Sequence, residues 1–250
     1  MAKIVVANWK MNPQSKKEAE ILFNDIVKLS KNIKNIQIII CPPFPYLFIY
    51  KKIKSKKIFL GAQNVVNSVE SSHTGEIPPS ILSDMGVKYV IVGHSERRLL
   101  GENNKIINEK ILNSLKFKIS PILCIGEKNR DKEGFYLSSI GEQIKECLAG
   151  VSRLQMKNII IAYEPVWAIG KNAIREATTE EFMEIKIFIK KILSDIYGSK
   201  IAHSTTIIYG GSVNGENVSS FMKDDGADGV LVGRDSLNPK KFNAILNALN

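Results

Sequence analysis

Three side chains suited to moving or steadying protons stand far apart in this sequence: Lys10 in "ANWKMN", His94 in "GHSERR" and Glu164 in "IIIAYEPVWAIGKN". The glutamate ends an apolar run, and a partly desolvated carboxylate is a better base than one in open water. His94 stands just before "SERR", which reads as the first turn of a helix. The positive end of that helix disfavours imidazolium, and a neutral ring can both donate to and accept from two adjacent oxygens. Lys10 offers positive charge where an enolate-like oxygen would develop, and Glu96 is placed to hold that lysine. In "YGGSVNGEN" and "GVLVGRDSLNP" small residues let backbone N–H groups approach an oxyanion, which makes Gly210, Gly211, Ser212 and Gly233 candidates for a phosphate grip. No nucleophile with an attached base and no grouped metal ligands accompany them. Base, neutral electrophile, cation and phosphate grip together describe proton transfer beside the carbonyl of a phosphorylated substrate. Taken singly, each of these residues has a plain structural explanation; their joint placement is what points to chemistry.

That placement depends on the elements between them. Short β-branched runs occur at 3–8, 36–41, 57–63, 88–93, 119–124, 158–163, 204–209 and 227–232, eight in all. Helical patterns fill the intervals: Ala19, Leu22, Phe23, Ile26 and Val27 share one helix face, as do Phe182, Ile185, Ile189, Ile192, Leu193 and Ile196. Ser15 and Asn214 are placed as N-caps and Gly198 as a helix stop. Runs so continuously apolar suit parallel strands covered by helices on both sides. Eight such units in 250 residues match a closed α/β barrel of the (β/α)8 type, with an open doubly wound sheet as the rival. In a barrel, reactive groups sit at the carboxyl ends of strands. Asn8 and Lys10 follow the first strand, His94, Ser95 and Glu96 the fourth, Glu164 the sixth, and the glycine turns the last two, so all face one rim.

Two further segments have distinctive compositions. "VWAIG" after Glu164 is too apolar for an idle loop and suits a lid that excludes solvent, with the Gly170 N–H free for phosphate. "NVVNSVESSHTGEIPPS" (64–80) is a long polar loop in a chain whose other loops are short.

The chain carries 35 Lys and Arg against 25 Asp and Glu, a formal charge of +10. The lysines are scattered; "KKIKSKK" at 51–57 is the one dense cluster and reads as the solvated end of a helix and its turn, so no nucleic-acid partner is expected. A basic surface can still steer an anionic small molecule. Cys41, Cys124 and Cys147 form no CxxC pair, which argues against a disulfide framework or a zinc site. The opening apolar run is too short for a secretory signal, and no segment is long and uncharged enough to cross a bilayer; a cytoplasmic location follows as the default.

The segments "ANWKMN", "GHSERR", "CIGE", "YEPVWAIG", "YGGSV" and "DGVLVG" stand in the order and at the spacings of the triosephosphate isomerase family, which the sequence resembles across nearly its whole length. The resemblance implies a single TIM-barrel domain over residues 1–250 that interconverts dihydroxyacetone phosphate and glyceraldehyde 3-phosphate without a metal or organic cofactor. By position, it implies that Glu164 is the base, His94 the proton shuttle and Lys10 the electrostatic stabiliser. Asn8 and Glu96 would organise the lysine, and backbone groups of Gly170, Ser212, Gly233 and Arg234 would hold the phosphate. It further implies a homodimer in which the long third loop brings Thr74 near the partner's first strand end.

Two stretches depart from the family pattern. After "VWAIG" the chain reads "KNAIREATTEE", about two residues longer than the family's segment and without its hinge glycine. Asp235 stands where a small apolar residue is usual, which sets a negative charge beside an anion site unless it turns away. A four-carbon ketose phosphate isomerase, or a phosphate-binding barrel without turnover, remain the alternatives.

Overall fold

Eight strands follow one another round a closed barrel in simple sequence order: β1 (Lys3–Asn8), β2 (Ile36–Cys41), β3 (Ile58–Ala62), β4 (Tyr89–Val92), β5 (Ser120–Ile125), β6 (Ile160–Tyr163), β7 (Thr206–Tyr209) and β8 (Gly229–Val232). All pairs are parallel, and β1 closes on β8 through Ile4 beside Gly229 and Val6 beside Leu231. The structure is a computed structural model and describes residues 2–52, 55–68, 72–170, 173 and 175–250. It is a TIM barrel, as the apolar runs predict.

The alternation of side chains along each strand makes two cores. Val6, Ile39, Ile91, Ile122, Ile208 and Leu231 form one cluster, in the barrel interior. Val5, Ala7, Ile38, Ile40, Val90 and Ile161 belong to the larger cluster outside it, against the helices. Because both faces are covered, β2 buries every residue but Gln37, which lies half-buried near its start, and this is why the runs read as largely apolar.

The helices are α1 (Lys16–Ser30), α2 (Pro79–Asp84), α3 (Ser95–Leu99), α4 (Asn104–Lys116), α5 (Phe135–Cys147), α6 (Arg153–Met156), α7 (Thr179–Tyr197), α8 (Ser199–Ser204), α9 (Val218–Phe221) and α10 (Pro239–Leu249). Ser15 caps α1 by accepting from the Glu18 N–H at 3.2 Å. Gly198 ends α7 at a φ of +91°, a conformation open to glycine. Ala19, Leu22, Phe23 and Ile26 are buried as the period predicts, while Val27 packs at the edge of the core. On α7, Phe182, Ile185, Ile189, Ile192 and Leu193 are buried, but Ile196 is 40% exposed because the inward face passes to Tyr197.

Three expectations are corrected. Asn214 is not the cap of a helix: its side chain accepts from the N–H groups of Glu216 and Asn217 in a turn, and α9 begins later, after Asn217. Lys57 is not simply solvated, since its ammonium donates to the carbonyls of Ser30 and Ile33 at the end of α1. The last residues of the long third loop belong to α2, which starts at Pro79. That loop is tied at its base by the Val66 N–H to the Ile77 carbonyl, 3.0 Å, and to α4 by Lys110 on Asn64, 2.7 Å. Among the described residues no helix is long and apolar enough to cross a membrane.

Candidate active site

A cavity of about 720 Å³ opens at the carboxyl ends of the strands. Lys10, His94 and Glu164 line it together, with Asn8 and Glu96 beside them. Gly170, Gly210, Gly211, Ser212, Gly233 and Arg234 line it as well. Ser95 contributes from behind the wall through its backbone. Thr74 does not line the cavity; it lies exposed in the third loop. Lys171, Asn172 and Ile174 of the altered lid stretch lie outside the described residues.

Each side chain is aimed by local structure. Lys10 turns out of β1 at a φ of +52°, and the Asn8 carboxamide accepts its backbone N–H at 3.0 Å. A non-glycine residue in this region is strained unless its surroundings hold it. Gln63, just past β3, is part of that hold: its amide donates to the Lys10 carbonyl at 2.8 Å and to the Cys41 carbonyl at 2.9 Å. The Lys10 ammonium then meets Glu96 at 2.6 Å. With the Glu96 side chain 55% exposed, this pair orients the lysine more than it stabilises the fold.

His94 caps α3. Its Nδ1 accepts the Glu96 backbone N–H at 3.2 Å, so the ring proton is on Nε2, the nitrogen that faces the carboxylate of Glu164. Glu164 is 2% exposed. One of its oxygens accepts the Ser95 N–H at 3.0 Å, and the other lies 3.3 Å from His94 Nε2 without closing a hydrogen bond. Cys124 lies below in the barrel interior; burial pushes its thiol well up, and the neighbouring Glu164 carboxylate pushes it the same way.

The glycine turns rest on aromatic packing. Tyr209 stacks on Phe221 at 3.9 Å between ring centres and meets Phe182 edge-on at 5.6 Å. Gly211 passes so close to Tyr209 that a methyl group there would fall 2.1 Å from the phenol oxygen. Among the described residues the N–H groups of Ser212 and Gly233 donate to no protein acceptor, which leaves them available to an anion. Asp235 lines the cavity, and its carboxylate pairs with Lys241, 3.3 Å away, which offsets its charge.

Beyond Glu164 the chain makes a single turn, Val166–Ala168, pinned by Trp167. The indole N–H donates to Glu127 at 2.7 Å, and the same carboxylate oxygen accepts the Tyr163 hydroxyl at 2.8 Å. Burial raises the Glu127 carboxyl, and these two bonds oppose the rise. The sequence alone assigns no role to Gln63 or Glu127. The signal for Gln63 was its position at a strand end on the same rim; for Glu127 it was an acid in "CIGE" just after β5.

The family model for triosephosphate isomerase matches residues 3–249 of this chain. The triosephosphate isomerase of Aquifex aeolicus is 42% identical over 249 residues, covering 98% of this chain and 99% of its own. That of Dictyoglomus thermophilum is 41% identical over 243 residues, 96% of each chain. That of Fusobacterium nucleatum is 39% identical over 254 aligned positions, covering the whole of both. With the barrel and the cavity described above, these matches show that the chain belongs to the triosephosphate isomerase family.

Proposed function

We propose that this chain interconverts dihydroxyacetone phosphate and D-glyceraldehyde 3-phosphate, the triose step shared by glycolysis and gluconeogenesis. The observation that carries the reading is the meeting of Glu164, His94 and Lys10 around one cavity that also offers free N–H groups at Ser212 and Gly233.

In this reading the phosphate is held by backbone N–H groups of Gly170, Ser212, Gly233 and Arg234. Glu164 leaves the Ser95 N–H and takes a proton from carbon 1. The C–H electron pair becomes the double bond between carbons 1 and 2, and the carbonyl oxygen takes the negative charge. Lys10 stabilises that charge, and the His94 Nε2–H donates to the same oxygen. His94 then passes a proton between the two enediol oxygens, and Glu164 returns its proton to carbon 2. A site walled by "VWAIG" keeps water from the intermediate.

The proposed assembly is a homodimer, with the third loop and Thr74 entering the mouth of a second copy. Met11, Leu99 and Leu100, on the segments that carry Lys10 and His94, are 85%, 71% and 76% exposed in the single chain and suit coverage by a partner. The proposed location is the cytoplasm, in keeping with three free, buried cysteines.

A coupled assay with glyceraldehyde 3-phosphate, run beside Glu164→Asp and beside a four-carbon ketose phosphate, tests the reading. Shortening the base by one methylene displaces it by about an ångström, so turnover should fall about 100-fold while substrate binding changes little. Equal turnover in both proteins, or preference for the four-carbon substrate, would overturn it. Sedimentation of the protein and of Thr74→Arg tests the dimer; a monomeric parent would remove it.

A further inference from the structure

The altered stretch after "VWAIG" ends in an arginine with an unusual set of partners. The Arg175 guanidinium lies over the Trp167 ring, 4.6 Å from its centre. It also grips Glu181 with two nitrogens, one of them at 2.9 Å, and donates to the Glu176 carbonyl at 3.0 Å. Glu181 is itself fixed, because its carboxylate accepts the Thr178 N–H at 2.8 Å and so completes the capping box of α7. Arg130 hydrogen-bonds Glu184 and lies within ion-pair distance of two further acids, 3.7 Å from Glu181 and 3.9 Å from Glu127. Trp167 is thus held at its N–H edge by Glu127 and on its face by Arg175, and the two holds are linked through Arg130 and Glu181.

We infer that Arg175 is a positioning residue for the proposed isomerisation: by stacking on Trp167 it fixes where Trp167–Gly170 lies over the cavity. Arg175 is itself at the cavity wall, and the inferred role runs through the indole. A lysine would keep the charge beside Glu181 but lose the flat stack and the paired grip, so Arg and Lys separate this role from simple support of α7. The chemistry gives a sensitive readout. If the segment is displaced, the enediolate is less shielded: its electron pair can re-form the carbonyl at carbon 1 while a double bond forms between carbons 2 and 3 and phosphate leaves. The enol left behind tautomerises to a dicarbonyl.

This inference rests on the isomerase reading, and the experiment keeps the two apart. Protein labelled with 5-fluorotryptophan gives one fluorine resonance for Trp9 and one for Trp167, assigned with Trp167→Phe. In Arg175→Ala the Trp167 resonance should move while that of Trp9 stays. Inorganic phosphate released per triose isomerised should rise about two- to fivefold, the scale of an exposed cation–π contact. Arg175→Lys should recover the melting temperature but neither the resonance nor the phosphate ratio. An unmoved Trp167 resonance in Arg175→Ala, or full recovery of both readouts by lysine, would overturn the inference. If the alanine variant does not fold, the lysine variant decides alone. A parent protein without isomerisation would sink the functional reading and leave the resonance test intact.

Discussion

Glu164 and Ser95 are joined across the barrel mouth, the Ser95 N–H donating to the carboxylate at 3.0 Å while the other carboxylate oxygen faces His94 Nε2 at 3.3 Å. The base is therefore held by the first turn of α3, the helix that His94 caps. Holding and releasing the base and orienting the imidazole are tasks of one short segment, so a change in either residue will be felt by the other.

The strain at Lys10 gives the first prediction. Gln63→Leu removes two N–H donors, which leaves the part-buried Lys10 carbonyl without its Gln63 partner and the Cys41 carbonyl with the Trp9 N–H alone, a loss of about 1–3 kcal/mol. Chemical denaturation should show that loss. The lysine would also wander, so kcat/KM should drop about tenfold. Unchanged kinetics in a destabilised variant would limit Gln63 to a structural role.

Gly211 supplies the second. An alanine there collides with the Tyr209 hydroxyl, and either the ring or the turn must shift. Because the turn offers the Ser212 N–H to phosphate, KM should rise by about tenfold or more, with a smaller effect on kcat. A variant with parental KM would separate this turn from phosphate binding.

The third concerns pH. Glu181 has its carboxyl held down at about 2 against an ordinary 4.5, first by the Arg175 guanidinium. A depressed acid contributes stability above its unfolded value and loses it as pH falls toward the folded one. The melting temperature of the parent should exceed that of Glu181→Gln above about pH 5, and the gap should close as pH drops from 4.5 toward 2. A gap independent of pH would show that the charge of Glu181 contributes nothing.

The fold was legible because burial on both strand faces writes itself into apolar runs such as III at 38–40 and IIIAY at 159–163. Strand edges shifted by one or two residues where a flanking residue is apolar for helix packing instead, as at Ile119 and Ile159, which are buried outside the strands. The site residues were legible because they sit at strand ends, where the barrel leaves room for polar groups. Asn214 misled because an asparagine that turns the chain and one that caps a helix satisfy the same backbone donors. The supports of Trp167 were not legible: Glu127 and Arg130 follow β5 while Arg175 follows β6, and the two stretches meet only once the barrel closes.

The central claim is that Glu164 carries the proton. Dihydroxyacetone phosphate incubated with the protein in deuterium oxide, well past equilibrium, tests it by NMR of the hydroxymethyl group at carbon 1. One deuterium should enter that position with the parent protein, and entry should slow by orders of magnitude in Glu164→Gln. Complete isomerisation without any label, or equal labelling by the two proteins, would contradict the account.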